Sequence, residues 1–133
     1  MSEPAGEILA APSFAVVGAS RSPEKYGSLV YRALKQAGKS VYAVNPNGDE
    51  VDGDPAFATL AALPSVPNAA VMIVPPSVTA TAVAECARLN IRRIWMQPGA
   101  ESESAVAACR ANGITVVANG PCILVMLRTL GYL

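Results

Sequence analysis

Short, largely apolar runs alternate along the chain with longer segments in which apolar residues recur every three or four positions. Runs of this length are typical of strands that are buried on both faces of a parallel sheet. A glycine, proline or asparagine follows each run, and these residues favour the end of a strand. The predicted strands are residues 14–17, 41–44, 69–74, 92–97 and 114–118.

Segments with helical spacing lie between most of the predicted strands. The first of them has Val30 and Leu34 on one face, and Gly38 is placed to end it. Residues 54–62 are expected to form one or two helical turns on the sheet, and residues 1–12 a tail that folds over its edge. The predicted helices are residues 27–38, 77–89, 102–112 and 122–133.

This alternation predicts an α/β fold, with a single Rossmann-like, doubly wound parallel sheet of five strands and right-handed crossovers. We expect the strand order 3-2-1-4-5. The chain has no internal repeat, so residues 1–133 are interpreted as one domain.

Composition narrows the classes of function. The chain is 52% apolar and 15% charged, which favours a folded globular protein. Ten basic and ten acidic residues cancel without long blocks of either sign, which argues against a nucleic acid or a membrane as partner. No run approaches the roughly 20 apolar residues of a membrane helix. Three cysteines without a Cys-x-x-Cys pair favour a reducing, cytoplasmic location.

The chain contains no histidine. This removes the commonest general base, the usual zinc ligand and every nucleophile that depends on histidine. We therefore expect a binding protein that has no catalytic residues of its own and holds no metal.

The loop after the first strand is the strongest candidate for a ligand site. In an open parallel sheet, ligands bind beyond the carboxyl ends of the strands, where the strand order reverses. Gly18 and Gly27 would let the backbone approach a pyrophosphate held by amides at the start of the next helix. A plain strand-to-helix turn with a solvated lysine is the alternative. The polar residues of the loop are Ser20, Arg21, Ser22 and Lys25.

A dinucleotide dehydrogenase would usually show G-x-G-x-x-G in this loop and an acidic residue at the end of the second strand. The next glycine after Gly18 is Gly27, and the second strand ends in Asn45-Pro46. NAD is therefore disfavoured, although it remains an alternative cofactor.

Six short segments together resemble the small CoA-binding protein family, whose domain also forms the N-terminal part of the succinyl-CoA synthetase alpha subunit. The resemblance runs from residue 14 to residue 123. The segments are Ala15-Val16-Val17-Gly18-Ala19-Ser20, Lys25-Tyr26-Gly27, Val44-Asn45-Pro46, Glu50-Val51-Asp52-Gly53, Trp95-Met96-Gln97-Pro98-Gly99 and Asn119-Gly120-Pro121-Cys122-Ile123.

The resemblance implies a coenzyme A site along the carboxyl ends of the strands. Residues of the first loop would border the phosphates, Asn45-Pro46 would lie near the adenosine, and the ends of the third and fourth strands would form the remaining wall. In the synthetase, the catalytic phosphohistidine lies in a later domain that this chain does not contain. The expected cofactor-binding residues are Gly18, Ala19, Ser20, Arg21, Ser22, Lys25, Tyr26, Gly27, Asn45, Pro46, Val74, Pro75, Pro76, Met96, Gln97 and Gly99.

Three further features have two interpretations each. Cys122 is either a small buried apolar residue, which we favour, or a thiol that forms a mixed disulfide with CoA. Trp95 is favoured as a core residue over a ring that stacks on adenine. An acidic segment is favoured as a solvated loop over a metal site, because it lacks an ordered ligand spacing. Its residues are Asp49, Glu50, Asp52 and Asp54.

Three functions follow from these observations. The first is non-catalytic binding of CoA or acyl-CoA. The second is a CoA-ligase component that works with a separate catalytic partner. The third is a regulatory domain that senses NAD(H) or another nucleotide.

Overall fold

Seven strands and five helices form within residues 3–48 and 50–133, the part of the chain that the computed structural model describes. The strands are β1 Ser13–Val17, β2 Ser40–Val44, β3 Glu50–Val51, β4 Asp54–Phe57, β5 Ala69–Met72, β6 Arg93–Met96 and β7 Thr115–Val117. The helices are α1 Glu3–Leu9, α2 Tyr26–Gln36, α3 Pro76–Leu89, α4 Glu103–Ala111 and α5 Ile123–Thr129.

The strands form one sheet in the order β3-β4-β2-β1-β5-β6-β7. Every neighbouring pair is parallel except β3 and β4, which are antiparallel. The α/β class and the mainly parallel sheet are as predicted. The predicted number of strands and the order 3-2-1-4-5 are wrong, since the five predicted strands lie in the order 2-1-3-4-5.

A short hairpin accounts for both errors. β3 and β4 are joined by Asp52 and Gly53, whose φ angles of 52° and 80° fit a two-residue hairpin turn. β4 then pairs in parallel with β2, with Ala56 opposite Ala43. Because β4 occupies the free edge of β2, β5 pairs on the other side of β1. The helical turns expected for residues 54–62 are reduced to a 3-10 turn at Leu60–Ala62.

Apolar side chains pack on both faces of the sheet because alternate residues of a strand point to opposite faces. Phe14 and Val16 of β1 join one cluster with α1, α2 and α5, whereas Ala15 and Val17 join a second cluster with α3 and α4. The expected N-terminal tail is the helix α1, with Ile8 fully buried in the first cluster. Trp95 is also fully buried there, which confirms its predicted place in the core.

Polar contacts fix the hairpin to α2. The Tyr31 hydroxyl donates to Asp54 Oδ2 at 2.6 Å, and Lys35 Nζ lies 2.7 Å from the same oxygen and 3.1 Å from Asp52 Oδ2. The hydrogen bond from Lys35, followed by that from Tyr31, lowers the pKa of Asp54 below its usual value of 3.8. Burial and the neighbouring Asp54 raise the pKa of Tyr31. The hairpin is thus attached to α2 through an ionised carboxylate.

We predict that Asp54→Asn destabilises the protein at neutral pH and that the difference shrinks in acid. The folded-state pKa of Asp54 is lowered, so its stabilising contribution is present above about pH 4 and is lost as the pH falls through the folded pKa. At pH 7 the partly exposed contacts should contribute on the order of 1 kcal/mol, or about 4 °C in Tm. Thermal unfolding of both proteins from pH 3 to 7 tests this, and a constant difference in Tm would contradict it.

Candidate functional site

The winding direction of the sheet changes between β1 and β5. The chain leaves β1 to build β2 and β4 on one side, then crosses over to β5 on the other side. At such a reversal, the loops beyond the carboxyl ends of the two strands diverge and leave a crevice. The loop after β1 lies at this point.

Two glycines bring that loop and the start of α2 together. Gly18 has a φ of 99°, and a β-carbon there would collide with the carbonyl of Ile73 after β5. A β-carbon on Gly27, the second residue of α2, would collide with the Gly18 carbonyl oxygen and lie 3.0 Å from the Ser20 amide nitrogen. Both positions require glycine because neighbouring backbone occupies the space of a side chain.

Several backbone amides remain available at this contact. Lys25 is the N-cap of α2 but provides no side-chain cap, and the first amides of a helix have no partner within the helix. In the described part of the chain, the amides of Ser20, Arg21, Tyr26 and Gly27 have no protein acceptor. The arrangement suits an anion.

Some side chains at this loop stabilise its conformation, whereas others are exposed and can contact a ligand. Ser20 Oγ accepts the Ser22 amide at 3.1 Å and shapes the turn. Arg32, which the sequence analysis did not single out, donates to the Pro23 carbonyl at 2.7 Å and so supports the loop from α2. Arg21 and Lys25 are exposed, and neither side chain has a partner within residues 3–48 and 50–133.

An apolar cavity of about 300 Å³ opens on one side of the loop, between the ends of β1 and β2, the segment after β4, and α3. Thr59, Thr81 and Glu85 supply polar groups to its lining. Glu85 Oε2 also accepts the Ala61 amide at 3.2 Å, which holds the 3-10 turn beside α3. The apolar residues of the lining include Val17, Val44, Pro46, Leu60, Val74 and Ala82.

Two more cavities continue along the carboxyl edge on the other side of the loop. One of about 270 Å³ is lined by Ile73 to Pro75 and Gln97 to Ala100. The other, called here the glutamine cavity, measures about 140 Å³ and is lined by Tyr26, Ile73, Gln97, Pro98 and Cys122. The two cavities share Ile73, Gln97 and Pro98. The carboxyl edge therefore offers a series of neighbouring cavities.

Gln97 is a buried polar residue that lines both of these cavities. It is only 5% exposed. Its Oε1 accepts the Ile123 amide at 2.7 Å, and its Nε2 donates to Cys122 Sγ at 3.2 Å. Cys122 is half-buried and borders the cavity, so it is less enclosed than the small buried apolar residue we favoured.

Several predicted site residues have other positions or tasks. Ala19 is fully buried and Met96 is 1% exposed, so both side chains belong to the core. The Asn45 side-chain Nδ2 donates to the Ala19 carbonyl at 2.7 Å and thereby positions the loop between β1 and α2, residues 18–25, called here the glycine loop. The Gly99 amide donates to Glu101 at 2.8 Å. Pro76 is exposed at the start of α3 and does not line the cavities described above.

The acidic segment lies beside the loop after β1. A cavity of about 710 Å³ has Arg21 on one wall and three carboxylates around it, which would repel a phosphorylated ligand. The residues described show no group of three acidic or cysteine side chains placed for a metal, and Asp49 lies outside them. The predicted solvated loop is in part the β3–β4 hairpin. The three carboxylates belong to Glu24, Glu50 and Asp52.

The remaining cysteines, Cys86 and Cys109, are buried thiols. Burial raises the pKa of Cys86 to about 12 and that of Cys109 to about 11, so both remain thiols at neutral pH.

Among the helices described, none is long and apolar enough to cross a membrane.

Comparison with known families and proteins gives a consistent match. The model of the CoA binding domain family matches residues 12–128. A stretch of 77 residues is 34% identical to acetate–CoA ligase (ADP-forming) I of Archaeoglobus fulgidus and covers 58% of this chain. A stretch of 81 residues is 32% identical to acetate–CoA ligase (ADP-forming) II subunit alpha of Pyrococcus furiosus and covers 60% of this chain. These stretches span only 11% and 18% of the two relatives.

Solved structures share the fold. A hypothetical protein of Pyrococcus horikoshii superposes with a TM-score of 0.91 at 28% identity, over 96% of this chain and 90% of that one. The dinucleotide-forming acetyl-coenzyme A synthetase 1 of Candidatus Korarchaeum cryptofilum superposes with a TM-score of 0.68 at 27% identity, over 80% of this chain and 26% of that one.

We predict opposite effects for the same substitution in two helices. Gly27→Ala should destabilise the protein by about 1–3 kcal/mol, because the new methyl group overlaps backbone of the glycine loop. Gly6→Ala in α1 should be neutral or stabilising by about 0.5–1 kcal/mol, since a β-carbon there meets no atom within 4 Å. Urea unfolding measures both, and equal changes would contradict the proposed close approach at Gly27.

Proposed function

The chain belongs to the CoA binding domain family, and on this basis we propose that it binds coenzyme A or acyl-CoA along the carboxyl edge of its sheet without catalysing a reaction alone. The observation that carries the proposal is the set of amides at the glycine loop and the start of α2 that have no acceptor within the described part of the chain, beside the side chains of Arg21 and Lys25, which have no partner there either. Cavities on both sides of this anion site match an extended ligand with a central diphosphate.

The diphosphate of CoA would lie at the glycine loop. Amides of the loop and of α2 would donate to its oxygens, and the helix dipole would add a favourable field. Arg21 and Lys25 would supply charge-assisted contacts. Both can reach a ligand without breaking an existing ion pair, since Lys35 is the lysine that neutralises the hairpin.

The adenine would lie in the apolar cavity. A flat aromatic base suits a cavity with apolar walls and a few polar groups that fix its orientation. Pro46 lines this cavity, in keeping with the expected adenosine end, whereas Asn45 supports the loop through Ala19. The pantetheine arm would then extend over Ile73 and Val74 to the glutamine cavity.

A ligase component is the second candidate function. Two relatives are named as ADP-forming acetate–CoA ligases, and one of them is a subunit. A chain without histidine would need a partner to supply a histidine-dependent step. Co-purification with a protein that confers CoA-dependent, ADP-forming turnover would support this role, and a stable solitary monomer would count against it.

We predict that CoA binds with measurable heat and that Lys25→Ala weakens it about fivefold or more, because a charge-assisted contact is lost. Arg88→Ala is the matched control, since this exposed arginine lies in the last turn of α3, at the far end from the loop. Isothermal titration with CoA and competing NADH measures both effects. The absence of any CoA binding at millimolar concentration would reject the proposal, and tighter binding of NADH would favour the nucleotide-sensing alternative.

We predict that Ala82→Leu weakens CoA about tenfold, because Ala82 is buried at the apolar cavity and a larger side chain would fill it. Binding of 4′-phosphopantetheine, which lacks adenine, should change much less. Ala84→Leu introduces the same side chain at an exposed position of α3 and should leave CoA binding unchanged. Equal weakening of both ligands by Ala82→Leu would place the adenine elsewhere.

A further inference from the structure

We infer that Gln97 recognises a carbonyl oxygen in the pantetheine or acyl end of the ligand by donating a hydrogen bond to it. The inference rests on the proposed function, because it concerns the same edge of the sheet. It assigns to Gln97 a specificity role that is separate from holding the phosphates or the adenine.

The structure fixes which end of the Gln97 amide is the donor. The Ile123 amide can only donate, so the side-chain atom 2.7 Å from it is the carbonyl oxygen Oε1. The other end is therefore the NH₂ group. Gln97 directly follows β6 and Ile123 begins α5, so this contact joins two segments that border the site.

The donor end lacks a strong acceptor. The NH₂ group carries two hydrogens, and in the part of the chain described its one acceptor is Cys122 Sγ at 3.2 Å. A thiol sulfur is a weak acceptor. Gln97 is 95% buried, and a buried donor without a good acceptor raises the free energy of the unliganded protein. A carbonyl oxygen would satisfy this donor.

The surroundings leave room for such an acceptor. Gln97 lines both the glutamine cavity and the neighbouring cavity of about 270 Å³. The other walls of the glutamine cavity are Tyr26, Ile73, Pro98 and Cys122. Among these lining side chains, only the Gln97 amide is a buried N–H donor, and apolar walls strengthen a hydrogen bond made there.

Two parts of an acyl-CoA offer a carbonyl oxygen at this end. They are the thioester of the acyl group and the amides of the pantetheine arm. A matched pair of ligands separates them, because acetyl-CoA and S-ethyl-CoA have nearly the same shape and differ by the thioester carbonyl. Free CoA retains the pantetheine amides alone.

The experiment is titration of acetyl-CoA, S-ethyl-CoA and CoA into the native protein and two variants at pH 8. Gln97→Glu keeps an acceptor for the Ile123 amide and, when ionised, has no donor. Gln97→Met removes both. A loss of affinity common to the two variants therefore reports the donor, and thermal unfolding shows that each variant is folded. Gln36→Glu makes the same change at an exposed site at the far end of α2 and serves as the control.

We expect a threefold to tenfold loss of affinity on removal of the donor, the size of one neutral hydrogen bond. If Gln97 recognises the thioester, native protein prefers acetyl-CoA to S-ethyl-CoA by that factor and both variants lose the preference. If it recognises the pantetheine amide, the variants lose affinity equally for all three ligands. Unchanged affinities in both folded variants would overturn the inference and leave CoA binding intact. Failure of native protein to bind any of the three would reject the proposed function itself.

Discussion

The close approach of two backbone segments governs the candidate site. Gly18 turns against the carbonyl of Ile73, and Gly27 packs against the carbonyl of Gly18, so β1, β5 and α2 meet with no side chain between them. Because α2 starts at this contact and has no side-chain cap, its first amides have no acceptor among residues 3–48 and 50–133. The same packing that closes the core on one side therefore leaves backbone amides available to an anion on the other.

Most of the sheet was predictable because strands buried on both faces leave unbroken apolar runs. The hairpin was missed because its strands are short, and Pro55 within β4 argued against a strand. Asp52-Gly53 was nevertheless a readable turn signal. The missed hairpin makes the predicted strand order wrong. β4 occupies one edge of β2, and the chain therefore continues on the other side of β1. A two-residue turn is thus the reason that the observed strand order differs from the predicted one.

Topology alone indicates where the candidate site lies, but the contacts of its residues depend on partners distant in sequence. Asn45 holds Ala19, which is 26 positions away, and Gln97 holds Ile123, which is also 26 positions away. No local pattern indicates either pair. Met96 ends β6 and packs in the core, whereas Gln97 directly follows the strand and borders two cavities.

Charge placement explains how an acidic hairpin can lie beside the proposed phosphate site. Asp52 and Asp54 share Lys35, and Tyr31 donates to Asp54 as well, so much of their charge is compensated on the α2 side of the hairpin. Arg21 and Lys25 have no partner among the residues that the structure describes. Since the chain carries no net charge, attraction of a polyanion depends on this local separation. If Arg21 and Lys25 were paired with the hairpin carboxylates instead, the backbone amides would have to hold a diphosphate without these two cations.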